Sequence, residues 1–204
     1  SVAQHTITIN PTVVGAAFIE IYGFNLYNDD VKGTLVHKIA QSGMRSNDFY
    51  TMDSAVFVNG LSVLDADIVF VYLGVNDRID DVDPDTFYIK MKEIVSRIKS
   101  VSYDIDVVLI GSEGYDTTTW NGGIYANSLY NDKLRKISIE DTISFFDNTI
   151  LFGEYDTSFT TKGILTDGLH EALLGTNIIV NGLFKNFAFS GLEPTDAMNS
   201  FYTD

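Results

Sequence analysis

The stretch Ile68-Val69-Phe70-Val71-Tyr72-Leu73, followed at once by Gly74-Val75-Asn76-Asp77, decides how this chain is read. An unbroken run of β-branched and aromatic residues is what a strand covered on both faces requires, because a strand with one wet face alternates apolar with polar. Downstream, Phe87, Met91, Ile94, Val95 and Ile98 recur at helical spacing behind Pro84, which predicts a helix over 85–99. Residues 105–110 form a second buried-strand pattern, closed by Gly111-Ser112-Glu113-Gly114. A helix over 126–138, a strand over 142–146 and an amphipathic helix over 173–187 complete the C-terminal half. Upstream, 6–9 alternates like a strand and breaks at Asn10-Pro11-Thr12. Residues 13–27 read as a helix with Phe18, Ile19, Tyr22 and Leu26 on one stripe, or as a strand with Ile19, Ile21 and Gly23 alternating. Residues 34–40 are a further strand candidate ending at Gln41-Ser42-Gly43, and 53–64 a helix interrupted at Asn59-Gly60. Short buried strands alternating with helices predict an α/β fold, a parallel sheet with helices on both faces. With 204 residues and no linker or repeat, a single domain over 1–204 is expected, 190–204 being a surface tail.

Charge narrows the partners. Asp and Glu outnumber Lys and Arg by 28 to 13, and a net charge of -15 repels a phosphate backbone and an anionic membrane surface alike. Neither nucleic acid nor membrane is an expected partner; no apolar run approaches the roughly 20 residues a membrane-spanning helix needs. Without cysteine there is no disulfide framework, thiolate metal site or cysteine nucleophile. The opening residues do not form a signal peptide. A chain beginning at Ser1 rather than Met fits an excised piece of a longer protein, for which an extracellular or virion-associated setting is favoured.

In parallel sheets, ligands gather at the carboxyl ends of the strands. The loops there are 10–12, 42–43, 74–77 and 111–114. Near the C-terminus, Asp167-Gly168-Leu169-His170 places one of the three histidines three residues after an acid and just before the last helix. A carboxylate beside a histidine fixes its tautomer and stabilises the imidazolium formed when it takes a proton, the usual general-base arrangement. A buried strand ending in Gly74-Val75-Asn76-Asp77, with Asp167-x-x-His170 before the last helix, resembles the SGNH (GDSL-type) hydrolases, matching that family's G-x-N-D and D-x-x-H blocks in order across nearly the whole chain. The resemblance implies a three-layer α/β/α sandwich with a parallel, flavodoxin-like sheet of SGNH type. It also implies a site in which His170 is the base, Asp167 orients it, and Gly43 and Asn76 supply the oxyanion hole.

The chain departs from the family at the nucleophile, since no Gly-Asp-Ser-like motif follows the first strand. If that strand is 6–9, Thr12 takes the serine's place. If it is 18–22, Asn25 does, but only 18 positions then lead from Asn25 to Gly43, too few for a helix and a strand, whereas 31 lead from Thr12. Thr12 is therefore the expected nucleophile, with Ser42, Ser46 and Ser112 in reserve. Trp120, in a polar loop with Asn121, Gly122, Gly123 and Tyr125, is a candidate sugar-stacking residue. The run Asp77, Asp80, Asp81, Asp83 and Asp85 lacks the Gly and Glu of a calcium loop and reads as a solvated, helix-capping segment. His5 and His37 have no carboxylate at a fixed short spacing and read as structural or solvated. Gly111-Ser112-Glu113-Gly114 lacks the leading glycine of a nucleophile elbow. The expectation is an ester hydrolase, without metal or organic cofactor, acting on a small acyl ester or an acylated glycan and removing acetyl groups from carbohydrate. The alternative is a catalytically impaired glycan- or receptor-binding module of the same fold, as in a phage tail fibre.

Overall fold

The computed structural model describes residues 35–120, 123–153 and 155–186. The chain divides into two compact units, Ser1–His37 and Lys38–Asp204, and the elements described here belong to the second. In order they are α1 (Ser46–Thr51), α2 (Ser54–Ser62), β1 (Ile68–Tyr72), α3 (Val75–Ile79), α4 (Pro84–Val101), β2 (Asp106–Gly111), α5 (Asn127–Asp141), β3 (Ser144–Asp147), α6 (Thr149–Phe152), α7 (Ser158–Thr161) and α8 (Leu173–Asn186). The segments around Thr12 and Asn25, both readings of 13–27 and the expected tail at 190–204 lie outside the described residues.

The described strands form a parallel sheet in the order β1-β2-β3, with Val71 opposite Leu109 and Ile110 opposite Phe146. Because side chains alternate across a strand, the two faces collect different partners. Val71, Val107 and Leu109 pack on one face among Phe87, Met91 and Ile94 of α4 and Leu134 and Ile137 of α5, while Val108, Ile110 and Phe146 pack on the other with Leu151 of α6 and Leu183 of α8. The result is an α/β protein with a parallel sheet between helical layers, as the alternation of elements predicts. β2 lies in the middle, and its residues 107–110 are all at most 5% exposed.

The best-patterned helix forms as expected. Asp83 caps α4 by accepting the Thr86 N–H at 3.0 Å, and Pro84 opens the first turn. The stripe Phe87, Met91, Ile94, Val95 and Ile98 is 0–2% exposed; full burial of each such side chain contributes about 1.5–3 kcal/mol. At the other end of the chain, the first turn of α8 lies directly on backbone. A Cβ at Gly175 would stand 2.2 Å from the Ile164 carbonyl oxygen, so only glycine allows that approach.

Several expectations need correction. β1 is not covered on both faces: Phe70 and Tyr72 remain 41% and 38% exposed, and among the described residues β1 pairs along one edge only. The described part of the 34–40 strand candidate, 35–40, has no regular structure, and Val36 and Ile39 are exposed. An apolar run becomes a strand only where a ladder partner meets it, and none of the described strands does. The break anticipated at Asn59-Gly60 is absent, since α2 runs through it. A helical glycine costs about 1 kcal/mol, which the packing of Phe57 and Leu61 against the α4 core offsets.

Candidate active site

The candidate base, His170, is built locally. Asp167 Oδ1 accepts the backbone N–H of Leu169 at 3.2 Å and of His170 at 2.9 Å, which folds the segment back on itself. The same carboxylate meets the imidazole Nδ1, with Oδ2 at 2.9 Å. A carboxylate can only accept, so Nδ1 carries the proton and Nε2 is left as the basic nitrogen. The His170 backbone N–H and then its imidazole hold Asp167 below the usual carboxylate range, so it remains an anion. The pair faces solvent, with side chains 60% and 43% exposed, and it therefore orients the ring while adding little to stability.

A second loop fixes the first. Asp116 accepts the Thr118 N–H and the hydroxyls of Thr118 and Thr119 at 2.9, 2.6 and 2.7 Å, and these donors push its carboxyl down to about 2. Its own N–H donates to the Gly168 carbonyl at 2.8 Å. Gly168 sits at φ +82°, and a Cβ there would come 2.9 Å from Asp116 Cβ, so both backbone conformation and space require glycine. The loop then delivers Trp120, whose Nε1–H donates to the Asp167 carbonyl at 3.1 Å and whose ring meets His170 edge to face, centroids 5.5 Å apart. Trp120 thus lies beside His170. Its N–H, however, is committed to the loop that carries the base.

Opposite the base, β1 runs out at Tyr72 and turns through Gly74 into α3. Asn76 donates through Nδ2 to the Met44 carbonyl at 3.0 Å, which uses one of its two amide hydrogens and leaves the other for a ligand. Asp77 is turned the other way. It is fully buried and accepts the Ser46 N–H at 3.0 Å and the Ser46 hydroxyl at 2.5 Å. Burial pushes its carboxyl above the usual range, partly countered by those bonds. Asn76 and Asp77 together dock the 43–46 segment against the end of β1.

Gly43, Asn76 and His170 line one cleft of about 240 Å³, with Tyr72, Leu73 and Glu171 among its other walls. Asp167 stands behind His170, and Thr12 lies outside the described residues. Of the reserve nucleophiles, Ser46 is fully buried against Asp77. Ser112 is also buried, donating to Asn127 Oδ1 and accepting from the Gly114 N–H, so both hydroxyls are already engaged. Ser42 is exposed and lines the cleft. The acidic run divides among capping and pairing roles: Asp80 pairs with Arg45, Asp81 accepts the N–H groups of Gly123 and Ile124, Asp83 caps α4 and Asp85 pairs with Lys133. Among the described residues, no group of three or more His, Cys, Asp or Glu is placed to hold a metal ion.

One part of the cleft wall escaped the sequence reading. The Tyr72 hydroxyl lies 2.8 Å from Glu171 Oε1 and 3.3 Å from Glu113 Oε2, and Asn148 Nδ2 reaches the same Glu113 oxygen at 3.3 Å. Glu171 directly follows the base, and Glu113 stands in a strand-end loop where a serine drew attention instead. Those were the available signals.

No protein-family model matches the chain, and no curated protein matches it by sequence. Solved structures do. The chain is similar to an α/β hydrolase, LAE5, from the metagenome of Lake Arreo, Spain, at 19% identity over 71% of this chain and 68% of that one, TM-score 0.54. It is similar to the Clostridium thermocellum family 3 carbohydrate esterase, at 18% identity over 78% and 69%, TM-score 0.53. A variant of an acetyl-xylooligosaccharide esterase from Geobacillus Stearmophilus matches at 16% identity over 75% and 72%, TM-score 0.55. These neighbours are named as an α/β hydrolase and two carbohydrate esterases, and at these identities the likeness is one of fold.

Proposed function

We propose that the protein is an SGNH-type ester hydrolase that removes small acyl groups, acetyl foremost, from carbohydrate. The observation that carries this reading is the convergence of Gly43, Asn76 and an Asp167-paired His170 on one cleft at the carboxyl end of β1. His170 Nε2 takes the proton of the attacking hydroxyl, assigned to Thr12, as that oxygen adds to the ester carbonyl. The carbonyl oxygen becomes an oxyanion, met by the Gly43 N–H and the second Asn76 amide hydrogen. One such donor is worth about 2.7–4 kcal/mol of the barrier. The tetrahedral intermediate collapses with loss of the alcohol, protonated by His170, and water then repeats the sequence on the acyl-enzyme. Proton and acyl transfer are complete with these groups, and neither step calls for a metal or cofactor.

Two features support a short acyl group on a sugar. A cleft of about 240 Å³ has ample room for an acetyl ester at His170, and Trp120 offers an aromatic surface beside that residue for a sugar ring. Two of the similar structures, moreover, are named as esterases of carbohydrate or of acetyl-xylooligosaccharide. The test is hydrolysis of nitrophenyl acetate, nitrophenyl octanoate and acetylated xylo-oligosaccharide by the whole chain beside Thr12→Ala and Thr12→Ser. Turnover of both acetyl esters but not the octanoate, lost in Thr12→Ala and kept or raised in Thr12→Ser, is the expected result. Full activity in Thr12→Ala moves the nucleophile elsewhere, with Ser42 next. Absence of turnover on every ester, with sugar binding by calorimetry, replaces the hydrolase with the binding module.

A further inference from the structure

The Tyr72 hydroxyl stands between two carboxylates and has one proton to give. Donated to Glu171 Oε1 at 2.8 Å, that proton leaves the phenolic oxygen facing Glu113 Oε2 at 3.3 Å, lone pair against lone pair, if Glu113 is ionised. The phenol cannot resolve this by ionising, because burial of its hydroxyl end and the two nearby carboxylates push it well above its ordinary range, even though the residue is 38% exposed overall. Glu113 itself is 2% exposed. The groups facing it are Tyr72 from β1, Glu171 from the segment after the base, and the uncharged amide of Asn148, which precedes α6. Among the described residues no cation faces it. The arrangement therefore needs one more proton, and the buried carboxyl is where it goes.

We infer that Glu113 and Tyr72 are positioning residues for the catalytic base: a neutral Glu113 carboxyl donates to the Tyr72 oxygen, Tyr72 donates to Glu171, and this strap ties the His170 segment to the carboxyl ends of β1 and β2. The inference rests on the hydrolase reading for its kinetic consequences but not for its proton count. Burial, and then the charge of Glu171, push the Glu113 carboxyl up to about 7. Below that pH the strap is closed; above it Glu113 loses its proton, Tyr72 faces two anions, and the residue next to His170 loses its anchor. Activity then falls on the alkaline side through Glu113. The linkage has a matching sign. The folded carboxyl ionises at about 7 against 4.5 for a free one, so the stability it contributes is complete below 4.5 and is lost as pH rises through about 7.

The experiment compares wild type, Glu113→Gln and Tyr72→Phe as whole chains, each verified as folded by circular dichroism. The amide of Glu113→Gln donates at every pH, so this variant keeps the rate that wild type shows below pH 7, loses the alkaline decline, and loses the fall in melting temperature between pH 4.5 and 7 relative to wild type. Tyr72→Phe cuts the strap and lowers kcat by about tenfold, the loss expected for one charge-assisted hydrogen bond, with KM changed less. NMR titration of the His170 imidazole reads the coupling without any substrate. Wild type shows a second inflection near 7, and Glu113→Gln shows only the ring's own. A Glu113→Gln variant whose His170 titration and melting profile both match wild type overturns the strap, as does a Tyr72→Phe variant with full kcat. Wild type without esterase activity but with the second inflection supports the strap while overturning the hydrolase, so the two failures are distinct.

Discussion

Replacing His170 by alanine lowers kcat for ester hydrolysis by on the order of 10³-fold while leaving the melting temperature nearly unchanged. The kinetic part follows from the role proposed for Nε2, removal of the hydroxyl proton as the oxygen adds to the carbonyl; no other basic nitrogen among the described residues lines the cleft. The thermodynamic part follows from exposure. At 60% side-chain exposure the ring buries little, and its pair with Asp167 is a solvent-facing contact worth about 0–1 kcal/mol. Asp167→Asn is the finer probe of the same idea. A carboxamide presents an N–H as well as an oxygen to Nδ1, which lets the imidazole settle in the wrong tautomer, a change that costs about 10⁴-fold in kcat where an Asp orients a catalytic His. Steady-state rates and thermal melts on the same preparations separate the two effects. A histidine that merely caps the segment before α8 gives the opposite pattern, a stability loss with no kinetic loss.

Asp77→Ala costs about 2–4 kcal/mol of folding stability and weakens catalysis, although Asp77 does not face the cleft. Its carboxylate satisfies two buried donors, the N–H and hydroxyl of Ser46, and a buried donor left without a partner costs about 1–3 kcal/mol. The loss is moderated because the buried carboxylate is itself costly, as its upward-shifted ionisation reports. Ser46→Ala is milder, since the backbone N–H bond at 3.0 Å survives. Against a total of about 5–15 kcal/mol for an ordinary domain, the alanine at 77 is a large change, read from denaturant midpoints. The kinetic effect enters through position. Asp77 and Asn76 hold the 43–46 segment on the end of β1, so releasing one clamp lets Gly43 drift from the place proposed for it beside the oxyanion.

What the sequence made legible divides by the range of the interaction. α4 could be read because its stripe repeats with the helical period and nothing else fits it. The Asp167-His170 pair could be read because both partners stand within one turn of chain. The Ser46–Asp77 clamp joins residues 31 apart and the Tyr72–Glu171 bond residues 99 apart, and no local pattern marks either. The same limit explains the misreadings. Residues 35–40 have strand-like composition, but a strand is made by its neighbour, and the apolar run of β1 gives no sign that Phe70 and Tyr72 stay partly exposed. The G-x-N-D block reads as one unit in the sequence, yet its two polar residues diverge, Asn76 toward the cleft and Asp77 into the packing beneath it. Helices of four to six residues, such as α1, α3, α6 and α7, are too short for any periodicity to register.

A hydroxyl activated by His170 is what a fluorophosphonate probe reports directly. Intact-mass and peptide mapping after reaction of wild type and His170→Ala measure which oxygen, if any, becomes phosphonylated. One adduct per chain in wild type, mapped to Thr12 and absent in His170→Ala, is the predicted result. No adduct in wild type, or equal labelling in both proteins, contradicts it.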